Sequence, residues 1–189
     1  YQYPAAIQYG GSKLEKGPSM LIDWLNDNLV QVKQIFAIDH HTGLGPSGHD
    51  TLLLPLELRN KDFDKFVELQ QLFPGHIELL SKTGVGYEIK GDIHQGLVNR
   101  FPGISWTYLT QEFGTFKSIK VIRANRDENR WTQWGDYVDE AGAKSHWSRL
   151  NLLRIFNPND AVWQDKIVSR GNTVFESATQ YLRDDQEDS

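Results

Sequence analysis

The chain has 189 residues, an apolar fraction of 39 %, and 20 Lys+Arg against 25 Asp+Glu, giving a net charge of −5. That length suits one globular domain of ordinary composition, and no apolar run approaches the roughly 20 residues of a membrane span. Zero Cys excludes disulfide scaffolds, thiolate zinc sites and cysteine catalysis, and an acidic balance without a basic stripe argues against nucleic acid as partner.

In chain order, Tyr1 to Pro18 is rich in Gly, Pro and Tyr, with Tyr9-Gly10-Gly11 and Gly17-Pro18 as turn signals. The chain opens at Tyr1, its only Met is Met20, and no charged stretch precedes an apolar one. Tyr1 therefore does not begin a signal peptide, and a processed chain or a piece of a longer cytoplasmic protein is expected. Ser19 is placed to cap a helix through Leu21, Ile22, Leu25 and Leu29. Gln34 to Ile38 reads as a strand buried on both faces, running into Asp39-His40-His41-Thr42-Gly43-Leu44-Gly45-Pro46.

Thr51 to Leu58 is expected as a second strand, with Pro55 marking an edge or a bulge. An amphipathic helix over Asp62 to Phe73 would bury Phe63, Phe66, Val67 and Phe73 and stop at Pro74-Gly75. A short strand over His76 to Leu80 and a helix over Gly91 to Phe101 follow. Ile104 to Thr110 is a strand that delivers Gln111-Glu112-Phe113-Gly114 at its end. Phe116 to Trp134 and Ser145 to Phe156 read as helices, and Asp160 caps a last one bearing Trp163, Ile167, Val174, Ala178 and Tyr181. Residues 184–189 form an acidic tail expected to be solvated and frayed. Strands alternating with helices indicate an α/β domain of three layers, α/β/α, spanning 1–189.

Two places carry candidate chemistry. Asp39, His40 and His41 stand at a strand's carboxyl end, where open α/β sheets bind ligands. Alternation puts Asp39 and His41 on one face and His40 on the other, and a carboxylate beside an imidazole suits a metal ligand held in one tautomer. The competing reading is a pair of histidines bonded to loop backbone. Glu112 follows a second strand and suits a general base, or else a helix cap or ion pair. If the two strands are parallel neighbours, both groups line one rim.

Arg123, Arg126 and Arg130 share a helical face and are either carboxylate-binding groups or a solvated face paired with Asp127 and Glu128. His49 is a loop residue that either lines the cleft or faces solvent. His76, His94 and His146 form no ligand pair, and Trp131, Trp134, Trp147 and Trp163 are expected to pack helices.

Ile38 to Gly43 resembles the Asp-x-His-Thr/Ser stretch of the zinc carboxypeptidase-like superfamily, which includes metallocarboxypeptidases and the aspartoacylase/succinylglutamate desuccinylase amidohydrolases. The likeness is to an uncharacterised bacterial branch (DUF2817-like) with Asp-Leu-His-Thr-Gly-Leu-Gly-Pro, Glu-Phe-Gly-Thr and Pro-x-Asp-x-x-Trp. Here these are Asp39 to Pro46, Glu112 to Thr115, and Pro158 to Trp163. Tyr9-Gly10-Gly11 is similar to that branch too.

The resemblance implies a mixed, mostly parallel sheet, one Zn²⁺ ion, His41 as its third protein ligand and Asp39 in support. It also implies Glu112 as the base that activates water, with a peptide or an N-acyl amino acid as substrate. The family's upstream His-x-x-Glu, which supplies the other two ligands, does not occur in these 189 residues, and no Asn-Arg motif precedes the Asp39 segment. The chain is accordingly expected to be the C-terminal portion of a longer catalytic domain. Three functions stand: metallopeptidase, deacylase, and a non-catalytic module with an incomplete metal site.

Overall fold

The computed structural model describes residues 2–73, 77–79, 91–136, 142 and 145–187. Its centre is a four-stranded mixed sheet, order β1-β4-β2-β3, built from β1 (Gln34–Gly43), β2 (Asp50–Leu54), β3 (Ile77–Leu79) and β4 (Ser105–Gly114). β1 pairs β4 and β2 pairs β3 in parallel, whereas β2 runs antiparallel to β4. β4 therefore lies inside the sheet, and its residues from Thr107 to Gly114 are all buried. The helices are α1 (Lys16–Asn28), α2 (Leu56–Lys61), α3 (Phe63–Leu72), α4 (Ile93–Arg100), α5 (Ser118–Trp134), α6 (Trp147–Phe156) and α7 (Ala161–Glu187). None among the described residues is long and apolar enough to cross a membrane.

Alternation sorts the strand residues into two layers. On one face Leu52, Leu54 and Leu109, with Phe36 and Ile38 beside them, pack against Phe66, Leu69 and Phe73 around α3 and Val174, Ala178 and Tyr181 of α7. Leu52, Leu69 and Leu109 are fully buried, each stabilising the fold by about 1.5–3 kcal/mol. Asp50 anchors α7 on this face, accepting hydrogen bonds from Arg170 Nε at 2.9 Å and Gln111 Nε2 at 2.7 Å. On the opposite face Tyr108 stacks on His94 of α4, with ring centroids 4.1 Å apart. Nearby, α5 and α6 pack through Val121, Ala124 and Ile155. These layers make the fold α/β/α.

Several boundaries differ from the sequence reading. The strand expected to reach Leu58 ends at Leu54, and 56–61 is helical. Pro55, with no N–H to give the ladder, closes an interior strand and starts α2, so it marks neither an edge nor a bulge. Ser19 is not a cap. α1 begins at Lys16, which puts Pro18 in a first turn where a missing N–H costs nothing.

Asp62 caps α3, accepting from the Lys65 N–H at 3.0 Å, while Phe63, expected to be buried, is exposed and Leu69 takes the buried place. The expected stop at Pro74-Gly75 lies outside the described residues, as do His76 and Leu80. Asp160 caps α7 through the Trp163 N–H at 3.1 Å. The backbone of that helix continues to Glu187, so the start of the acidic tail is helical and not frayed.

Candidate active site

Both candidate groups lie within strands, beyond where their apolar runs stop. β1 continues through His41 to Gly43 and β4 through Glu112 to Gly114, because their backbones pair with each other along the whole length. The register sets His41 directly opposite Glu112 and Asp39 opposite Thr110. Parallel neighbours do place the two groups on one rim.

Asp39 and His41 share a face and touch: His41 Nε2 is 2.8 Å from Asp39 Oδ2. That oxygen also accepts the Tyr108 hydroxyl at 2.9 Å. An ionised carboxylate only accepts, so His41 Nε2 carries the proton, and a neutral ring has its lone pair on Nδ1. Nδ1 faces Glu112 Oε2 at 3.7 Å. Glu112 Oε1 in turn accepts the Leu44 N–H at 2.8 Å. A line of groups thus runs Tyr108, Asp39, His41, Glu112, Leu44 across the strand ends. His40 points to the other face and stacks on Phe113.

The electrostatics follow from these contacts. The hydrogen bond to His41 chiefly holds the Asp39 carboxyl below its ordinary range, and the same bond raises His41. Burial pushes Glu112 up, opposed by the Leu44 N–H and by His41. Burial likewise raises the Tyr108 phenol, which keeps its proton for Asp39. Glu112 is thus a carboxylate whose basicity exceeds that of an exposed one, as a general base requires.

The loop 44–49 is fastened over the end of β4. The N–H of Gly48 and the indole of Trp163 both donate to Gly114 O, at 3.0 and 2.8 Å, and Gly114 N–H donates to His49 O. Thr115 donates to Gly43 O at 3.1 Å and Thr42 to Phe156 O at 2.6 Å. A Cβ at Gly114 would run into Pro46 O, so only glycine permits this approach. Three segments distant in sequence therefore meet here: Asp39 to Pro46, Glu112 to Thr115, and Pro158 to Trp163. A family model described as "Protein of unknown function (DUF2817)" matches residues 1–170.

The chain belongs to the DUF2817 family. No curated protein and no solved structure matches it. The site described for this DUF2817 chain opens into a cavity of about 730 Å³. His41 and Glu112 lie in it with Val121, Ile122 and Asn125 of α5, Phe156 of α6, and Ile7 and Gln8 of the N-terminal segment. That segment is tied to α5 by Asn129, which donates to Ala5 O at 2.9 Å.

Arg123, Arg126 and Arg130 are exposed and do not line this cavity. Glu128, expected to pair with them, instead accepts from Arg149 Nε at 2.8 Å and Ser148 Oγ at 2.7 Å. Arg130 borders a separate recess with Trp131, Trp134 and Trp147, where His146 stacks on Trp131 at 3.6 Å. Trp134 and Trp147 are largely exposed, whereas Trp163 is buried and Trp131 is half-buried against His146. His49 is exposed and lies outside the cavity lining. Tyr108, inside the strand expected over Ile104 to Thr110, is the added member of the site.

The residues present fit one ligand position for a metal ion. His41 has Nε2 held by the Asp39 carboxylate, which leaves the Nδ1 lone pair as the one nitrogen able to ligate. Among the described residues no group of three or more His, Cys, Asp or Glu side chains is arranged to hold a metal.

Proposed function

We propose that this protein is a zinc-dependent hydrolase of amide bonds, a distant member of the carboxypeptidase-like superfamily, acting on a peptide or an N-acyl amino acid. The observation that carries this reading is the register of β1 and β4, which faces His41 Nδ1 towards Glu112 Oε2 at 3.7 Å inside a cavity. His41 is the ligand this chain contributes, and Asp39 fixes its tautomer. A zinc ion, when bound, supplies Lewis acidity to the scissile carbonyl and to water.

Glu112 does the proton work. Its Oε1 is anchored by the Leu44 N–H, which leaves Oε2 to take a proton from the attacking water. The water oxygen bonds to the carbonyl carbon, the C–N bond breaks, and the proton passes from Glu112 to the leaving amine. Tyr108 acts at a distance by holding Asp39.

The test measures bound metal and hydrolysis of C-terminal peptide and N-acyl-amino-acid panels by a chain extended upstream of Tyr1. It compares the protein with its Glu112→Gln and His41→Ala variants. Loss of turnover in both, with metal lost only in His41→Ala, is expected. Full turnover in Glu112→Gln, or unchanged metal in His41→Ala, would sink these roles. Turnover on the acyl panel alone identifies a deacylase. No metal and no turnover in the parent protein would leave a binding module.

A further inference from the structure

Resting on the reading of His41 and Glu112 as the reacting end of the cavity, we propose that this site selects amides whose arm beside the scissile bond is apolar and uncharged. Val121, Ile122 and Phe156 are its specificity-determining residues.

The walls carry the argument. Val121 and Ile122 come from α5 and Phe156 from the end of α6, while Ile7 closes the cavity from the N-terminal segment. Ile122 is 54 % exposed and Ile7 49 % exposed, so two branched apolar side chains stand open to water around a buried carboxylate. Covering them with an apolar arm removes that surface from water. The volume of about 730 Å³ is ample for a large aliphatic or aromatic side chain or acyl group.

The polar content of the described lining disfavours charged arms. Among the described residues, the lining besides His41 and Glu112 offers only hydroxyl, carboxamide and backbone groups, and no Lys or Arg. One of the two amide N–H groups of Asn125 is given to Val121 O at 3.0 Å. An acidic arm would face the Glu112 carboxylate with no Lys or Arg among the described lining residues to pair with it. A basic arm would find Glu112 as its one acidic partner and so occupy the base needed by water. Arg123 and Arg126 flank Ile122 and Asn125 in sequence, yet both point outside this lining.

The experiment titrates the protein with N-acetyl-leucinamide and its glutamyl and lysyl counterparts, following backbone amide shifts of Leu44, Val121 and Ile122 by NMR. The leucyl compound is expected to move these signals and to bind about tenfold or more tighter than either charged one. Ile122→Asp, a change at an exposed helical position that leaves the fold intact, should weaken leucyl binding and strengthen lysyl binding.

Equal or tighter binding of a charged compound to the parent protein overturns the proposal. So does leucyl binding indifferent to Ile122→Asp, or no shift at the cavity with any compound. Binding of the leucyl compound with no hydrolysis of the C-terminal peptide and N-acyl-amino-acid panels would instead refute the hydrolase reading and leave the selectivity standing.

Discussion

Glu112→Gln separates the chemistry of the site from its architecture. The carboxamide oxygen of Gln can still accept the Leu44 N–H that Glu112 Oε1 accepts at 2.8 Å, so the loop stays in place. What is lost is the basic oxygen facing His41. Removing a general base lowers turnover by about 10²–10⁴-fold, equivalent to roughly 3–5 kcal/mol of barrier. Glu112→Ala loses the acceptor as well, leaving the Leu44 N–H unpaired at a cost of about 1–3 kcal/mol in stability.

The pH dependence has a definite sign. Burial raises the folded-state pKa of Glu112 above its unfolded value. Its contribution to stability is therefore complete at acid pH and is lost as pH rises through the raised value. Gln has no charge to bury, so the melting temperature of Glu112→Gln should match the parent at low pH and exceed it towards neutrality. Paired kinetics and thermal melts across pH check this. Turnover within tenfold of the parent, or a Gln variant as destabilised as the Ala variant, would refute the reasoning.

Other perturbations bear on the same strand ends. The Asp39 carboxyl is lowered and His41 raised chiefly by their mutual hydrogen bond. The pair therefore stabilises the fold above the ordinary Asp range and below the ordinary His range, between pH about 4 and 6.5. That contribution falls away as Asp39 gains its proton on one side and His41 loses its own on the other. Urea unfolding of the parent and of His41→Ala should differ most in that window. Tyr108→Phe removes a hydrogen bond to a carboxylate worth about 1.5 kcal/mol and should move the Asp39 titration, read by NMR, upwards. An unmoved titration would show that the phenol does not hold Asp39. Gly114→Ala forces a methyl group against Pro46 O, and should cost about 1–3 kcal/mol in denaturant unfolding while shifting the Leu44 amide signal.

Much of the scaffold was legible because its signals are local. Gln34 to Ile38 and Ile104 to Thr110 are apolar enough to be read as buried strands, and Asp160 announces a helix start that the structure uses. His41 and Glu112 stood out as titratable groups just after such runs. What local pattern could not give was the strand continuation through Asp39 to Gly43 and Gln111 to Gly114. Polar residues there are kept in the sheet by pairing with each other, a non-local fact.

Tyr108 was missed for the same reason, since its partner is 69 positions away on another strand. The one available clue was parity: with β1 and β4 paired in parallel, Tyr108 and Glu112 share a face with Asp39 and His41. For Arg123 and Arg126, helical spacing left two readings, and their exposure agrees with the solvated face, since the cavity is lined by their neighbours Ile122 and Asn125.

The short loop 44–49 joins β1 to β2, yet these strands are not neighbours, because β4 lies between them. Its six residues bridge two strand spacings, about 10 Å, across the end of a strand that begins only at Ser105. β1 and β2 are thus made first in the chain with a gap between them, and neither can complete its ladder until the later strand slides into it. Closing that gap joins residues some 70 positions apart, an entropic demand that slows folding. The same event brings Glu112 to His41, so assembly of the sheet and assembly of the reactive pair are one step. A chain shortened before Ser105 would have neither.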